Sequence, residues 1–210
     1  MQFLRRILLL STLVLLGSAT LFAQTIRQRS TTEGLSLGLQ GHMLGWSSTY
    51  FQFLDENSGN GAGIGARLGY GLTQRFELFA EYDYTSMNVK NLDAESFRFS
   101  HVTGGLRFNF SATTHRVRPF AELGYALRTG QVNQVINGAS YDNIIFKKGA
   151  FHVGGGLNYF VSLPVALTLS GAFQTGPKST VTVNGFDSGD KADIGTFRIS
   201  AGVILYLSEL

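Results

Sequence analysis

The stretch GAGIGARLGYGL, residues 61–72, alternates between two kinds of side chain. The even-numbered positions are apolar or aromatic, and the odd-numbered positions are glycine except for Arg67. Successive side chains of a β-strand point to opposite faces, so this pattern predicts a strand with one apolar face. In a soluble barrel the apolar face would point into the core, whereas in a membrane barrel it would point to lipid and Arg67 would line the interior. The choice between these two orientations decides what the protein can do.

The same alternation recurs in eight segments, which predict an all-β fold. The segments are residues 33–44, 61–72, 76–85, 97–110, 119–129, 149–161, 165–175 and 195–207. Long polar loops alternate with short turns between them, so all the long loops should lie at one end. An eight-stranded antiparallel up-and-down barrel with this layout is typical of outer-membrane proteins. In the fourth segment Phe97 and Phe99 are out of phase with the lower half, which predicts a bulge near His101 and Val102.

Three features place the apolar face against lipid. All five lysines fall in the predicted loops, whereas the strand cations are arginines, and an enclosed interior favours arginine in fixed pairs. The segments run to 10–14 residues, where about 9–11 tilted residues cross a bilayer and soluble strands average about 5–6. Aromatic residues of the apolar face form two belts: Tyr70, Phe76, Phe108, Phe110 and Tyr159 at the short-turn end, and Tyr84, Phe151, Phe173 and Phe197 at the loop end.

The opposite face then lines a narrow lumen that carries both charge signs. Counting from the short turns places Arg107 at the height of Glu77 and Glu122 on its neighbouring strands, and Arg67 near Glu81. An eight-stranded barrel has room only for its own side chains, so glycines should make space for the charged ones. The sequence predicts an interior ion-pair network of Arg67, Glu77, Glu81, Asp83, Arg107, Glu122, Arg128 and Arg198.

The N-terminal residues have a different composition from the rest. Residues 1–23 combine Arg5 and Arg6 with a short apolar run and small residues, which predicts a cleavable signal peptide. Residues 24–32 form a short lead, and residues 33–210 form the barrel domain. The whole chain has 17 basic and 14 acidic residues, and removal of the two arginines leaves 15 against 14. With this balance we expect no nucleic-acid partner, and with no cysteine the fold cannot rest on disulfides.

On these features the sequence resembles the outer-membrane β-barrel family, such as the eight-stranded OmpA transmembrane domain, OmpX and the opacity-type proteins. The resemblance covers nearly all of the mature chain, including the closing strand GTFRISAGVILYL. It implies a monomer in the outer membrane of a Gram-negative bacterium. The implied partners are membrane lipids, including lipopolysaccharide, and the barrel assembly machinery. Such barrels usually end on an aromatic residue, whereas here Tyr206 stands four residues before the end.

No catalytic, cofactor or metal site is predicted. Ser100 and His101 are adjacent, so on a strand they point to opposite faces and cannot act together as nucleophile and base. We therefore expect a non-enzymatic role in membrane integrity, or in adhesion or binding of an extracellular partner through the loops. The alternatives are a narrow porin-like channel, a carrier of hydrophobic ligands, a lipid A-modifying enzyme, and a soluble lipocalin-like barrel.

The predicted loop interaction surface consists of Tyr50, Phe51, Phe53, Tyr141, Ile144 and Phe146. Apolar side chains exposed in loops are typical of contact surfaces. An alternative is that the segments TYFQF and NIIF extend the strands above the membrane as hairpins. The segment TVTVNGFD also predicts a hairpin, with its turn at Asn184 and Gly185.

Overall fold

The computed structural model describes residues 32–207, apart from 49, 52–53, 55, 57, 90–93, 112–114 and 138–139. The predicted signal peptide lies outside these residues. The described strands are β1 (Gly34–Ser47), β2 (Asn60–Gly71), β3 (Phe76–Met87), β4 (Ser96–Asn109), β5 (Val117–Asn137), β6 (Ser140–Phe160), β7 (Val165–Thr175), β8 (Ser179–Val183), β9 (Phe186–Ala192) and β10 (Gly195–Tyr206). No helix in the described part of the chain is long and apolar enough to cross a membrane.

Eight of these strands close a barrel. Their order is β5-β4-β3-β2-β1-β10-β7-β6, and a β5–β6 pairing joins the two ends. Every pairing is antiparallel, and β10 returns to pair with β1 from Ser36↔Tyr206 to Ser47↔Gly195. Closure leaves the barrel wall without an open edge, which a structure surrounded by lipid requires. The predicted eight-stranded up-and-down barrel is confirmed.

Two barrel strands, β5 and β6, continue beyond the barrel wall at the loop end, where β8 and β9 join them. β5 and β6 each have 21 residues and pair with one another as far as Asn137↔Ser140. The β8–β9 hairpin lies beside β6, with Phe146 opposite Val181. Its turn has positive φ angles at Asn184 and Gly185, as a two-residue type I′ hairpin requires, and this predicted hairpin is confirmed. We call β8, β9 and the upper parts of β5 and β6 the extracellular sheet, because the expected topology places the long-loop end of the barrel outside the cell.

The apolar face of the barrel wall points outward. In β3 the exposed side chains include Leu78, Tyr82 and Tyr84, whereas the side chains between them are buried. On β5 the outward apolar positions run from Val117 to Leu127. Ten residues of strand tilted by about 40° span roughly 26 Å of height, close to the apolar band of an outer-membrane barrel. The polar face lines the lumen.

The bulge predicted near His101 and Val102 is wrong. β4 keeps an unbroken register with β3 and with β5 through these residues. Phe97, Phe99 and His101 are all buried and point into the barrel, on the same face as Arg107. The phase of the strand does not change at this height; instead, the residue type on its inward face changes from charged to aromatic.

Candidate functional site: the barrel interior and the extracellular sheet

Glycines on β2 make room for the carboxylates of β3. A Cβ atom on Gly65 would collide with Asp83 Oδ1, and one on Gly69 would collide with Glu77 Oε1 and Ser36 Oγ. Gly65 and Asp83 are directly paired across the two strands. The glycine face of the stretch GAGIGARLGYGL is therefore the wall against which the charged side chains pack.

The structure brings seven of the eight predicted interior residues into one ion-pair network. The register confirms the predicted heights, because Arg107 is paired with Glu77 on one side and with Glu122 on the other. Glu122 Oε1 accepts a hydrogen bond from Arg67 Nη1 at 2.8 Å and one from Arg107 Nε at 2.7 Å. Glu122 is thus the carboxylate that joins two strand arginines, and its side chain is buried.

The remaining members extend the network around the lumen. Arg67 also reaches Glu81 at 3.4 Å and Glu77 at 3.5 Å. Arg198 pairs with both Glu81 and Asp83, and so links β10 to β3 across the barrel. The guanidinium groups of Arg67 and Arg107 also lie over aromatic rings, at 4.0 Å from the centroid of Phe79 and 3.9 Å from that of Phe120. These contacts hold the buried charges in fixed pairs.

Arg128 is the exception among the predicted network residues. It points inward and is buried, but within the described residues it forms no ion pair. Its Nη1 donates to the carbonyl oxygen of Ile194 at 2.7 Å and, more weakly, to that of Gln174 at 3.5 Å. The strand face was predicted correctly, but the hydrogen-bond acceptors of Arg128 are backbone carbonyl oxygens rather than carboxylates. It joins the network region to the end of the loop that follows β9.

Three buried histidines also lie on the inward face of the barrel wall. His42 contacts Thr85 at 2.8 Å, His152 lies 3.5 Å from Glu122 and 3.2 Å from Gln174, and His101 stacks on Phe99. Across the described residues, no group of three or more His, Cys, Asp or Glu side chains is arranged to hold a metal ion. His101 is buried inside the barrel, and Ser100 lies on the other face of β4 with partial exposure. That pair is therefore separated by the strand itself.

Above the histidines, an apolar cluster fills the barrel mouth. We call it the mouth cluster; it consists of Leu44, Trp46, Leu54, Met87, Phe97, Phe99, Val132, Phe146, Val181, Ala192 and Ile194. Trp46 lies 5.2 Å from Phe97, 5.4 Å from Phe99 and 6.0 Å from Phe146, measured between ring centroids. Its Nε1 donates to the carbonyl oxygen of Ser58 at 2.7 Å, so its one polar atom is satisfied. Residues from five barrel strands and the β8–β9 hairpin meet there.

A smaller cluster fills the opposite, short-turn end. Tyr206 stacks on Phe160 with 5.4 Å between ring centroids, and the guanidinium of Arg118 lies 4.2 Å from the centroid of Phe160. Ile204 and Ala166 complete this buried group. The aromatic residue near the end of the sequence therefore points into the barrel rather than into lipid.

The predicted loop interaction surface is divided by the structure. Tyr50 and Tyr141 are exposed, with 46% and 65% of their surface accessible. Phe51 and Ile144 are partly buried against the mouth cluster. The prediction is wrong for Phe146, which is buried within the mouth cluster. β6 continues as a strand above the membrane, and the side chain of Phe146 points inward from it. Phe53 lies outside the described residues.

The extension predicted for NIIF is confirmed, since residues 143–146 lie within β6. The described residues of TYFQF form no strand, because β1 ends at Ser47 and β2 begins at Asn60. Instead, Tyr50 contacts the extracellular sheet. Its hydroxyl donates to Asp190 Oδ2 at 2.8 Å, and this hydrogen bond raises the pKa of Tyr50. Its backbone N–H donates to Asp193 Oδ1 at 3.3 Å. The first loop is thereby tied to β9.

Sequence reasoning missed Trp46, Phe97, Phe99 and Tyr206 as interior residues. Strand parity could have found them, because Trp46 continues the inward positions of β1 and Tyr206 those of β10. Phe186, exposed at 79%, was also missed as a surface residue. It follows the hairpin turn at Asn184 and Gly185, a position at which exposure is common.

The sequence profile of the outer membrane protein beta-barrel domain matches residues 11–204. The chain belongs to this family. Among solved structures it is similar to Neisserial surface protein A, with a TM-score of 0.61 and 17% identity over 83% of this chain and 98% of that one. It is also similar to Ail, the attachment invasion locus protein of Yersinia pestis, with a TM-score of 0.53 and 15% identity over 82% and 99% of the two chains.

OprG from Pseudomonas aeruginosa is a third similar structure, with a TM-score of 0.57 and 12% identity over 86% and 98% of the two chains. At these identities the likenesses show the fold alone. No curated protein matches the chain significantly. Membership of the outer-membrane barrel family places the protein in the outer membrane and its apolar face against lipid.

Proposed function

We propose that this outer-membrane barrel is a closed, non-enzymatic surface protein that acts through its extracellular sheet. The observation that carries this proposal is the filling of the lumen at three successive heights. The mouth cluster, the ion-pair network around Glu122 and the stack of Tyr206 on Phe160 lie one below another. A lumen filled in this way leaves the extracellular face as the part available for binding.

The extracellular sheet has the properties of a contact surface. Tyr141 and Phe186 are exposed large side chains on neighbouring parts of it. Asn184 connects these parts, because its backbone N–H donates to the carbonyl of Asn143 at 2.9 Å and its side chain donates to Asp142 at 2.8 Å. Exposed aromatic side chains on a hydrogen-bonded sheet lose little conformational entropy on binding, which favours them as anchors for a partner.

Several observations support the absence of catalytic activity. Ser100 and His101 lie on opposite faces of β4, and the buried acids of the lumen are engaged by arginines. A hydrolytic site needs a nucleophile within hydrogen-bond reach of a base. We therefore assign no catalytic role to the described histidines.

The closed lumen is tested by electrical recording. The purified barrel is inserted into planar lipid bilayers, and the current is compared with that of protein-free bilayers and of an open porin. We expect no discrete conductance steps, because the charged and apolar layers both block the axis. Reproducible steps in the presence of the pure protein would instead identify a narrow channel.

The surface role is tested with Tyr141→Ser/Phe186→Ser. Bacteria that display the protein are measured for attachment to collagen- and fibronectin-coated plates and for cell-to-cell aggregation. The matched control is Leu72→Ser/Leu163→Ser, which removes two exposed apolar side chains from the short turns on the other side of the membrane. We expect at least a severalfold loss in one of these assays for the first variant only. Equal behaviour of both variants and the wild type in all assays would contradict the proposal.

A further inference from the structure

Most of the lysines are concentrated on the extracellular sheet. Four of the five lysines in the sequence, Lys147, Lys148, Lys178 and Lys191, belong to or directly precede strands of the extracellular sheet. All four are exposed. None of them forms an ion pair with another described residue. One side of the barrel therefore carries unpaired positive charge directly above the membrane.

Three of these lysines surround a single threonine. Thr180 on β8 is paired with Lys147 on β6 at one side and with Lys191 on β9 at the other. Lys178 precedes Thr180 by two residues. Neighbouring strands are about 4.8 Å apart, so the α-carbons of Lys147 and Lys191 are about 10 Å apart and both side chains can reach one group between them. We call Lys147, Lys178 and Lys191 the lysine triad.

Lys147, Thr180 and Lys191, which are paired across three strands, point their side chains away from the barrel axis. The residue next to each of them lies in the mouth cluster: Phe146 beside Lys147, Val181 beside Thr180, and Ala192 beside Lys191. Adjacent side chains on a strand point to opposite faces, so Lys147, Thr180 and Lys191 point outward together. They face the space beside the barrel wall, where the surrounding lipids stand.

The height of the lysine triad suits lipid headgroups. Phe151, four residues from Lys147 on β6, is an outward apolar side chain with 65% of its surface exposed. Four residues of strand tilted by about 40° rise roughly 10 Å, so the ammonium of Lys147 stands just above the apolar band. Below the triad, Val153 and Phe173 are paired neighbours with exposed apolar side chains. A ligand with phosphates above and acyl chains below matches both surfaces.

The nearest acids of β9 have other partners. Asp190 accepts the hydroxyl of Tyr50, and Asp187 accepts the backbone N–H of Gly189 at 2.9 Å. Neither carboxylate is within ion-pair distance of a described lysine, so the ammonium groups of the lysine triad remain available. We propose that the lysine triad, with Thr180, binds the phosphate groups of an outer-leaflet glycolipid of the lipid A type. This inference depends on the membrane placement of the barrel and not on the proposed role in surface contacts.

The test measures lipid retention by native mass spectrometry of the full barrel in neutral detergent. The probe is a bisphosphorylated, acylated disaccharide, and the comparison ligand is the same glycolipid without phosphates. The variant is Lys147→Gln/Lys191→Gln. The matched control is Arg75→Gln/Arg116→Gln, which removes two exposed cations from the short turns. Folding of every variant is verified by the shift of its gel band between unheated and boiled samples.

A cation near a charged lipid contributes about fivefold in affinity, so we expect the triad variant to bind the bisphosphorylated lipid roughly 25-fold more weakly. The control should bind as the wild type does, and 0.5 M salt should weaken wild-type binding more than binding by the variant. Equal affinity of the wild type and the triad variant would overturn the proposal. So would equal retention of the phosphate-free lipid. Displacement of the glycolipid by millimolar inorganic phosphate would identify a site for free phosphate instead.

Discussion

Strand β6 meets lipid along its lower half and water along its upper half. Its apolar side chains point outward in the lower half and inward in the upper half. In the lower half, Phe151 and Val153 point outward with exposed apolar surface, and His152 between them points inward. In the upper half, Phe146 points into the mouth cluster and Lys147 points outward. The strand does not slip between these regions, because its register with β5 runs without a break from Tyr159 to Ile144.

The difference shows that the solvent, and not the strand, decides which residue types face outward. In lipid, the outer face is apolar, and the interior holds the charges, which are buried and therefore need ion-pair or hydrogen-bond partners. Above lipid, the same wall behaves as a soluble sheet, with an apolar interior and a polar surface. The apolar side chains of residues 61–72 therefore face lipid, whereas apolar side chains higher in the barrel, such as Phe146, face the interior.

The largest loss of stability should come from breaking the ion pairs that Glu122 forms in the interior network. In Glu122→Ala the guanidinium of Arg107 loses its ion-pair partner and Arg67 loses its shortest contact. Removal of one partner from a buried ion pair costs about 3–5 kcal/mol. We expect a loss of about 4 kcal/mol in the free energy of unfolding, measured by guanidinium titration of the barrel in lipid vesicles.

Glu122→Gln is the control, because it keeps an oxygen that accepts a hydrogen bond and removes only the charge. Its loss should be clearly smaller than that of Glu122→Ala. If the alanine variant is as stable as the wild type, the network contributes nothing to stability and its charges are hydrated by water in the lumen.

A second prediction compares one residue type on the two halves of β6. Phe146→Ala leaves a void inside the mouth cluster, where a Phe to Ala change costs about 3 kcal/mol or more. Phe151→Ala exposes a surface that acyl chains can refill, so its loss should be smaller. Both variants are measured by the same titration in vesicles. A larger loss for Phe151→Ala would place the boundary between lipid and water above Phe146.

The part of the fold within lipid could be predicted from the sequence. Apolar and polar residues alternate along each strand there, and long loops alternate with short turns between the strands. Counting from the short turns was enough to bring Arg107 between Glu77 and Glu122, since short turns leave little freedom in register. The same counting placed Arg67 near Glu81, and in the structure the two residues are paired across β2 and β3. These results depend on local geometry, which the sequence carries.

The part above lipid could not be predicted by the same rule. Phe97 and Phe99 looked like a phase error, whereas they mark the height at which the inward face becomes apolar. Lys147 and Lys148 read as loop residues for the same reason, although they lie within β6. Arg128 was placed on the correct face, but its partners are carbonyl oxygens of Gln174 and Ile194. Those contacts depend on how a distant loop folds back over the mouth.

The smallest effect should come from a single methyl group on the glycine wall. Gly65→Ala places a Cβ atom against Asp83 Oδ1, whose carboxylate is held by Arg198, so the new atom must strain an ion pair that cannot move freely. Overpacking of this kind costs about 1–3 kcal/mol. Gly41→Ala is the matched control, because its Cβ would meet no atom within 4 Å on the lipid side. We expect the control to remain within about 0.5 kcal/mol of the wild type. Equal losses of unfolding free energy for the two variants would mean that the glycines are needed for strand conformation and not to make room for the carboxylates. The ion-pair network would then be less tightly packed than the mouth cluster above it.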